Sequence, residues 1–269
     1  MTQENRRLFL IQSLLNEQTE YRQVAIPPDA DGQRRLLRSL MNLRAPRPIG
    51  AAFLAEQDLY LQQELADGGI THLSDLRPIR GDLYLWQGDI TRLQCGAIVN
   101  AANSGMTGCY VPCHACIDNC IHTYAGLQLR LECAEQMARQ GYEEPTGRAK
   151  ITKAYNLPCD YVLHTVGPII KGRVTARDEQ LLASCYRSCL ALAEQYQIES
   201  IAFCCISTGV FHFPHLRAAE IAIAAVRQYK MQTGSRMKVI FNVFQDEDRT
   251  IYERLLDADE AAAKGASGG

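Results

Sequence analysis

The 269-residue chain is 47% hydrophobic and carries 28 Lys and Arg against 30 Asp and Glu, a formal net charge of -2. That is enough apolar material for a substantial core, in one domain with an extension or in two domains, and it leaves no basic field for unspecific nucleic-acid binding. No apolar run approaches the roughly 20 residues of a membrane span, so neither a nucleic acid nor a membrane is an expected partner.

The start, MTQENRRLFLIQSLL, is charged in its first turns and lacks a small-residue cleavage site, so it does not read as a secretory signal. Eleven cysteines are an odd number spread over strand-like and helix-like segments. They predict reduced thiols of a cytoplasmic protein, some of them on a metal, rather than a disulfide framework.

Apolar residues at Leu8, Leu10, Ile11, Leu14 and Leu15 predict a helix within residues 4–23. A second is expected over Gln33–Met41, before Pro46 and Pro48, and a third over Ala51–Ala66, ending near Gly68-Gly69. This region holds no convergent polar constellation. It reads as a helical extension packing on the main domain, or as a cap that shapes a substrate or partner site. Residues 1–75 are assigned to it and 76–260 to the main domain, with 261–269 a disordered Ala/Gly/Ser tail.

From Thr71 short strands alternate with helices. Strands are predicted at Asp82–Gln87, Gly96–Asn100, Ala149–Thr152, Tyr161–Val166, Ser200–Cys205 and Lys238–Phe244. Helices are predicted at Asp118–Gln140, Arg177–Tyr196, Leu216–Gln232 and Tyr252–Asp259. The alternation predicts an α/β fold, three layers (α/β/α) around a mixed, largely parallel central sheet. A ligand is expected at the carboxyl ends of the strands.

Five stretches could carry chemistry there. In Gly88-Asp89-Ile90-Thr91 the acid can accept a hydrogen bond from an exocyclic amine such as that of adenine, or simply cap local amides. Asn100-Ala101-Ala102-Asn103 offers two carboxamides that suit ribose hydroxyls, with small residues between them. Ser207-Thr208-Gly209-Val210-Phe211 can cradle a diphosphate on backbone N–H groups, with Phe211 against a sugar face, or be an ordinary strand-to-helix turn. Cys109, His114 and Cys116 bring two thiolates and an imidazole within eight residues. Three ligands leave an open position, as in catalytic zinc, and Cys113 or Cys120 could close a four-ligand structural site instead. Asp118, at the expected helix start, can cap amides, act as a base for water or hold a ribose hydroxyl. His122 reads as a hydrogen-bonded structural histidine, and His164, in YVLHTVGP, as a strand residue.

In this order GDIT, IVNAAN, DNCIHTYAG, HTVGP and ISTGVFHFP resemble the macrodomain family, from about Leu83 to Tyr252. The loop GCYVPCHACIDN and the helical extension are similar to its zinc-containing, mainly microbial protein-ADP-ribose hydrolase subgroup. The resemblance implies that Asp89 and Ile90 meet adenine, with Phe244 against the base, and that Asn100 and Asn103 serve the ribose. It implies further that Ser207, Thr208, Gly209, Val210 and Phe211 surround the diphosphate, that Asp118 joins Asn103 in catalysis, and that Cys109, His114 and Cys116 hold Zn2+. The expected activity is hydrolysis of the ester between mono-ADP-ribose and an Asp or Glu of a modified protein. A non-catalytic ADP-ribose reader or an O-acetyl-ADP-ribose deacetylase are the alternatives. Two departures stand out: Cys109–Cys116 replaces the family's glycine-rich run, and His212-Phe213 stands where related chains often have Gly-Tyr.

Overall fold

The computed structural model describes residues 1–266, with side chains to residue 257. Helices α1 (Gln3–Asn16), α2 (Ala30–Leu43) and α3 (Ala51–Gly68) come first. The side chain of Thr2 caps α1 by accepting from Asn5 N–H, and Asp29 caps α2 by accepting from Gly32 N–H. Their facing stripes, Leu10, Ile11 and Leu14, Leu37 and Leu40, and Phe53 and Leu61, close over a separate apolar cluster that also takes in Leu127. The helix expected within 4–23 ends at Asn16, and a single 3₁₀ turn, Thr19–Tyr21, follows.

The remaining elements are β1 (Thr71–His72), β2 (Pro78–Arg80), β3 (Leu83–Gln87), β4 (Leu93–Gln94), β5 (Ala97–Ala102), α4 (Ile117–Ala125), α5 (Leu127–Gln140), β6 (Ala149–Lys153), β7 (Tyr161–Val166), α6 (Ala176–Gln195), β8 (Ser200–Phe203), α7 (His215–Thr233), β9 (Lys238–Val243) and α8 (Asp246–Ala266). Seven strands form one sheet in the order β2-β3-β9-β8-β5-β7-β6. Both outermost pairs, β2 with β3 and β6 with β7, are antiparallel, and the pairs between them are parallel. Helices flank this mixed sheet: α4 packs on β5 and α5, α6 packs on α7, and α7 on α8. The central strands are buried on both faces, with Ile98, Val99, Val162, Leu163, Ile201 and Ile240 at 0% exposure, which is why they read as unbroken apolar runs.

One predicted element is corrected. The single helix expected over Asp118–Gln140 is two, α4 and α5, broken at Gly126. Gly126 has φ +97°, and a Cβ there would lie 2.6 Å from Gln57 Nε2, so α3 can reach in. Gln57 Oε1 then accepts from Leu127 N–H at 2.9 Å, satisfying an amide at the new helix start.

Strand β1 pairs in parallel with β4, tying residues 71–72, at the end of the stretch assigned to the extension, to the chain just before β5. The expected short helix at Tyr252–Asp259 is part of the longer α8. Of the expected tail at 261–269, residues 267–269 lie outside the described residues.

Candidate functional site

Parallel strands β3, β5, β8 and β9 end on one side of the sheet, and a cleft of about 430 Å³ opens there. From β3 come Gly88, Asp89 and Ile90, from β5 Ala101, and from β9 Asn242 and Phe244. The loop after β8 supplies Ser207 to Phe211, the loop before α4 supplies Cys113, Ala115 and Cys116, and α4 itself begins with Ile117 in the wall. Asp89 does two jobs: Oδ1 accepts from Thr91 N–H at 3.0 Å and Thr91 Oγ1 at 2.6 Å, while Oδ2 lies 3.7 Å from Arg92 Nε. One oxygen therefore caps the 3₁₀ turn Ile90–Arg92, and a side chain 40% exposed keeps the carboxylate in reach of a ligand. Phe244 is 74% exposed, an apolar face largely open at the cleft rim.

The loop after β8 is shaped to present amides. Phe213 N–H donates to Ser207 O at 3.0 Å and His212 N–H to Gly209 O at 3.0 Å, which folds residues 207–213 into a tight arch. Among the described residues, the N–H groups of Gly209, Val210 and Phe211 donate to no protein acceptor. Phe213 is 1% exposed and anchors the arch in the core, so of the pair His212-Phe213 only the histidine faces outward. Such a cradle beside the N-terminus of α7 favours an anion. Ser207, at φ +67°, leans on the HTVGP segment: a Cβ at Gly167 would fall 2.0 Å from Ser207 Oγ.

At the other side of the cleft, Cys109, His114 and Cys116 bring their donor atoms within 4.8 Å of one another, with Cys109 Sγ 3.7 Å from His114 Nδ1. Donors on a tetrahedral zinc with bonds near 2.1–2.3 Å stand roughly 3.5–3.8 Å apart, so the residues present fit that ion with little movement. Burial pushes the Cys116 thiol up to about 12, with the Asn119 amide working against it and Cys109 with it. A bound cation is what would hold such a sulfur as thiolate. Cys113 and Cys120 face elsewhere: Cys113 Sγ lies 3.2 Å from Ser39 Oγ, and Cys120 Sγ receives Arg38 Nη2 at 3.5 Å.

Asp118 is held just behind this loop. Asn100 Nδ2 donates to its Oδ1 at 2.8 Å and Asn103 Nδ2 to its Oδ2 at 3.2 Å. Burial pushes the Asp118 carboxyl up to about 6, against the opposing pull of Asn100, Arg130 and Asn103. Behind Asn100 lies His164, whose Nδ1 meets the Asn100 carboxamide at 3.1 Å and whose Nε2 meets Thr152 Oγ1 at 2.9 Å. His122, Cys133 and His164 form a second group of close donors. Burial drives both imidazoles towards the neutral form and the Cys133 thiol up. The group is a neutral polar floor under Asp118.

A profile of the Macro domain matches residues 99–222. A protein-ADP-ribose hydrolase of Treponema medium is 59% identical over 260 residues, 95% of this chain and 100% of the relative. This chain belongs to the macrodomain family. A protein-ADP-ribose hydrolase of Staphylococcus aureus is 47% identical over 253 residues, covering 93% of this macrodomain chain and 95% of its own. Among solved structures, a Trypanosoma brucei macrodomain in complex with ADP-ribose matches with a TM-score of 0.62 at 32% identity, over 81% of this chain and 94% of that one. An Oceanobacillus iheyensis macrodomain mutant with ADPR gives 0.61 at 35%, over 68% and 96%.

Within this macrodomain the expected residues fall into two sets. Asp89, Ile90, Cys116, Ser207, Thr208, Gly209, Val210, Phe211 and Phe244 line the cleft, whereas Asn100, Asn103, Cys109, His114 and Asp118 are not among its lining residues. Asn100 is 0% exposed, and its Nδ2 donates to Asp118. Asp118 is not the helix cap, since α4 begins at Ile117 after Cys116. His122 lacks the hydrogen bond expected of a structural histidine, and its nearest acid, Asp118 Oδ1, is 3.5 Å from Nε2. Sequence reasoning missed Arg38, Tyr124, Asn242 and Asp248 in the cleft wall, and Asn119 and Arg130 beneath the metal-ligand loop. Only Asn242, two residues before Phe244 on a recognised strand, carried a local signal.

Proposed function

We propose that this macrodomain protein is a zinc-dependent hydrolase that removes mono-ADP-ribose from modified Asp and Glu side chains of proteins. The observation that carries the reading is the convergence of Cys109, His114 and Cys116 beside a buried carboxylate at one wall of a nucleotide-sized cleft. Protein-ADP-ribose hydrolases 59% and 47% identical over nearly the whole chain support the removal of ADP-ribose from proteins.

In this reading the adenine amine binds Asp89, the base rests on Ile90 and Phe244, and the diphosphate lies in the arch Ser207–Phe211. These contacts are remote from the bond that breaks and supply binding energy to hold the ester in place. Cys109, His114 and Cys116 would hold zinc, which would supply Lewis-acid chemistry. Asp118 accepts the proton of the attacking water as the ester bond breaks, leaving the protein carboxylate and free ADP-ribose. Asn103 and Asn100 hold both oxygens of Asp118 so that the carboxylate cannot turn away.

The test is release of ADP-ribose from a carboxylate-modified protein by the wild type, Asp118→Ala and Cys116→Ala. Full activity in both variants would reject the assignment. One observation favours a second reading, a module that binds ADP-ribose without cleaving it: Asp118 is only 5% exposed. Tight binding with no turnover by the zinc-loaded chain would select it.

A further inference from the structure

The segment Asn103–Cys116 contains no helix or strand, and Cys113 within it sits at φ +53°. Its own backbone supplies few bonds, such as His114 N–H to Val111 O at 3.2 Å. The positions of the three metal-ligand side chains are therefore set largely by what grips the loop from outside, and part of that grip comes from the N-terminal extension. Arg38 of α2 donates from Nη2 to His114 O at 2.8 Å and to Asn119 Oδ1 at 2.8 Å, with Nε reaching the same Oδ1 at 3.3 Å. Asn119 passes the connection on, its Nδ2 donating to Val111 O at 2.9 Å and to Cys109 O at 3.3 Å.

A second tie runs through the end of α2. Asn42 Oδ1 accepts from Cys113 N–H at 2.9 Å. Arg130 of α5 donates from Nη1 to the carbonyls of Met41, Asn42 and Arg44 at 3.1, 2.6 and 2.8 Å, and from Nη2 to Cys109 O at 3.4 Å. One guanidinium thus joins the carboxyl end of α2 to the first metal ligand, and the other joins the middle of α2 to the second. Both are charge-assisted contacts on partly or fully buried carbonyls, the kind that fix geometry.

We propose that α2 of the extension belongs to the metal-holding apparatus, and that Arg38 is a positioning residue that sets the reach of His114 directly and of Cys109 through Asn119. The proposal rests on the zinc reading above. Outer contacts of this kind change metal affinity by about 10–100-fold when removed. Arg38 touches no metal-ligand side chain in the trio, so its effect is on how long the ion stays.

The test uses the full-length chain loaded with zinc, and follows metal transfer to a chromophoric chelator for the wild type, Arg38→Ala, Arg38→Lys and Asn119→Ala. Circular dichroism of the metal-free proteins reports folding. The wild type is expected to hold about one zinc per chain, and Arg38→Ala to release it at least about tenfold faster. Arg38→Lys should fall between, because an ammonium can bond His114 O but cannot fork to Asn119. Cobalt substituted for zinc should show a shifted visible spectrum in Arg38→Ala, a change in ligand geometry that a general loss of stability would not produce. Should Arg38→Ala fail to fold, Arg38→Lys and Asn119→Ala carry the same comparison. Folded variants that release zinc at the wild-type rate with an unchanged cobalt spectrum overturn the positioning role alone. A wild type that takes up neither ion overturns the zinc reading and this proposal with it.

Discussion

Asn100 Nδ2 donates to Asp118 Oδ1 at 2.8 Å, in a contact where the carboxamide is 0% and the carboxylate 5% exposed. A hydrogen bond to a buried charge is worth roughly 1.5–3 kcal/mol, and Asn100 is not among the residues that line the cleft. Asn100→Ala is therefore expected to lower kcat by about 10–100-fold through misplacement of Asp118, while the Kd for ADP-ribose moves by less than about threefold. Single-turnover kinetics and calorimetry on the same preparation check it. A Kd loss as large as the kcat loss would place Asn100 on the ligand after all.

Asp89 should behave in the opposite way. Its carboxylate lies in the cleft on β3's side, away from Asp118, and half of it is already spent on Thr91. Asp89→Ala is expected to weaken ADP-ribose binding by about tenfold, with turnover at saturating substrate close to wild type. Part of any stability loss would come from the uncapped turn at Ile90–Arg92, so thermal unfolding should accompany the titration. Equal affinity in the variant would remove adenine recognition from this residue.

How much of this was readable beforehand depended on where a residue's partner lies. The central strands were legible because burial on both faces leaves unbroken apolar runs, as in Ala97–Val99 and Ile201–Phe203. Strands β1, β2 and β4, of two or three residues, carry no pattern long enough to read; β2 is exposed throughout. The break at Gly126 was hidden because apolar spacing continues through Leu127 and Leu129, and only the approach of Gln57 from α3 requires the glycine. In the site, Asp89 and the arch at Ser207–Phe211 were legible from local turn chemistry. Which of Asn100 and Asn103 is buried was not, nor was the reliance of the metal-ligand loop on Arg38, whose partners lie 76 and 81 positions away.

Zinc removal should separate chemistry from recognition. The metal-ligand trio sits on the loop before α4, whereas Asp89, the arch and Phe244 lie in the segments that follow β3, β8 and β9. Chelation is expected to lower turnover by at least about a hundredfold and to leave ADP-ribose binding within about tenfold of the loaded protein. Metal analysis before and after, with restoration of activity by added zinc, checks the claim. Undiminished turnover in a chain shown to be metal-free would end the zinc mechanism.

Gly167 and Ser207 are a steric pair. An alanine Cβ at 167 would stand 2.0 Å from Ser207 Oγ and 2.9 Å from Ile206 Cγ2, so the arch must shift. Gly167→Ala is expected to cost about 1–3 kcal/mol and to weaken ADP-ribose binding. Ser207→Gly removes the clashing hydroxyl and suits φ +67°, so Gly167→Ala/Ser207→Gly should recover stability beyond the sum of the single effects. Denaturant unfolding of the four proteins measures the coupling, and strict additivity would show that the two residues do not meet.

His164 sets an acid limit on folding. Wholly buried between Asn100 and Thr152, its imidazole is pushed down to about 3 by burial, so the native protein keeps it neutral while the unfolded chain takes up a proton below about 6.5. Its contribution is thus fully present above about pH 6.5 and is lost as the pH falls from there towards 3, at up to about 1.4 kcal/mol per pH unit. His122, shifted in the same direction by burial and by His164, steepens the decline. His164→Gln, uncharged at every pH, is expected to be less stable than wild type at pH 7 by about 1–3 kcal/mol, since Asn100 and Thr152 lose geometry. The difference should move by roughly 2–3 kcal/mol in the variant's favour at pH 4.5, where the wild type has lost part of the histidine's share and the variant had none to lose. Denaturant unfolding at the two pH values decides it, and parallel stability curves for the two proteins would mean that His164 is protonated in the native state.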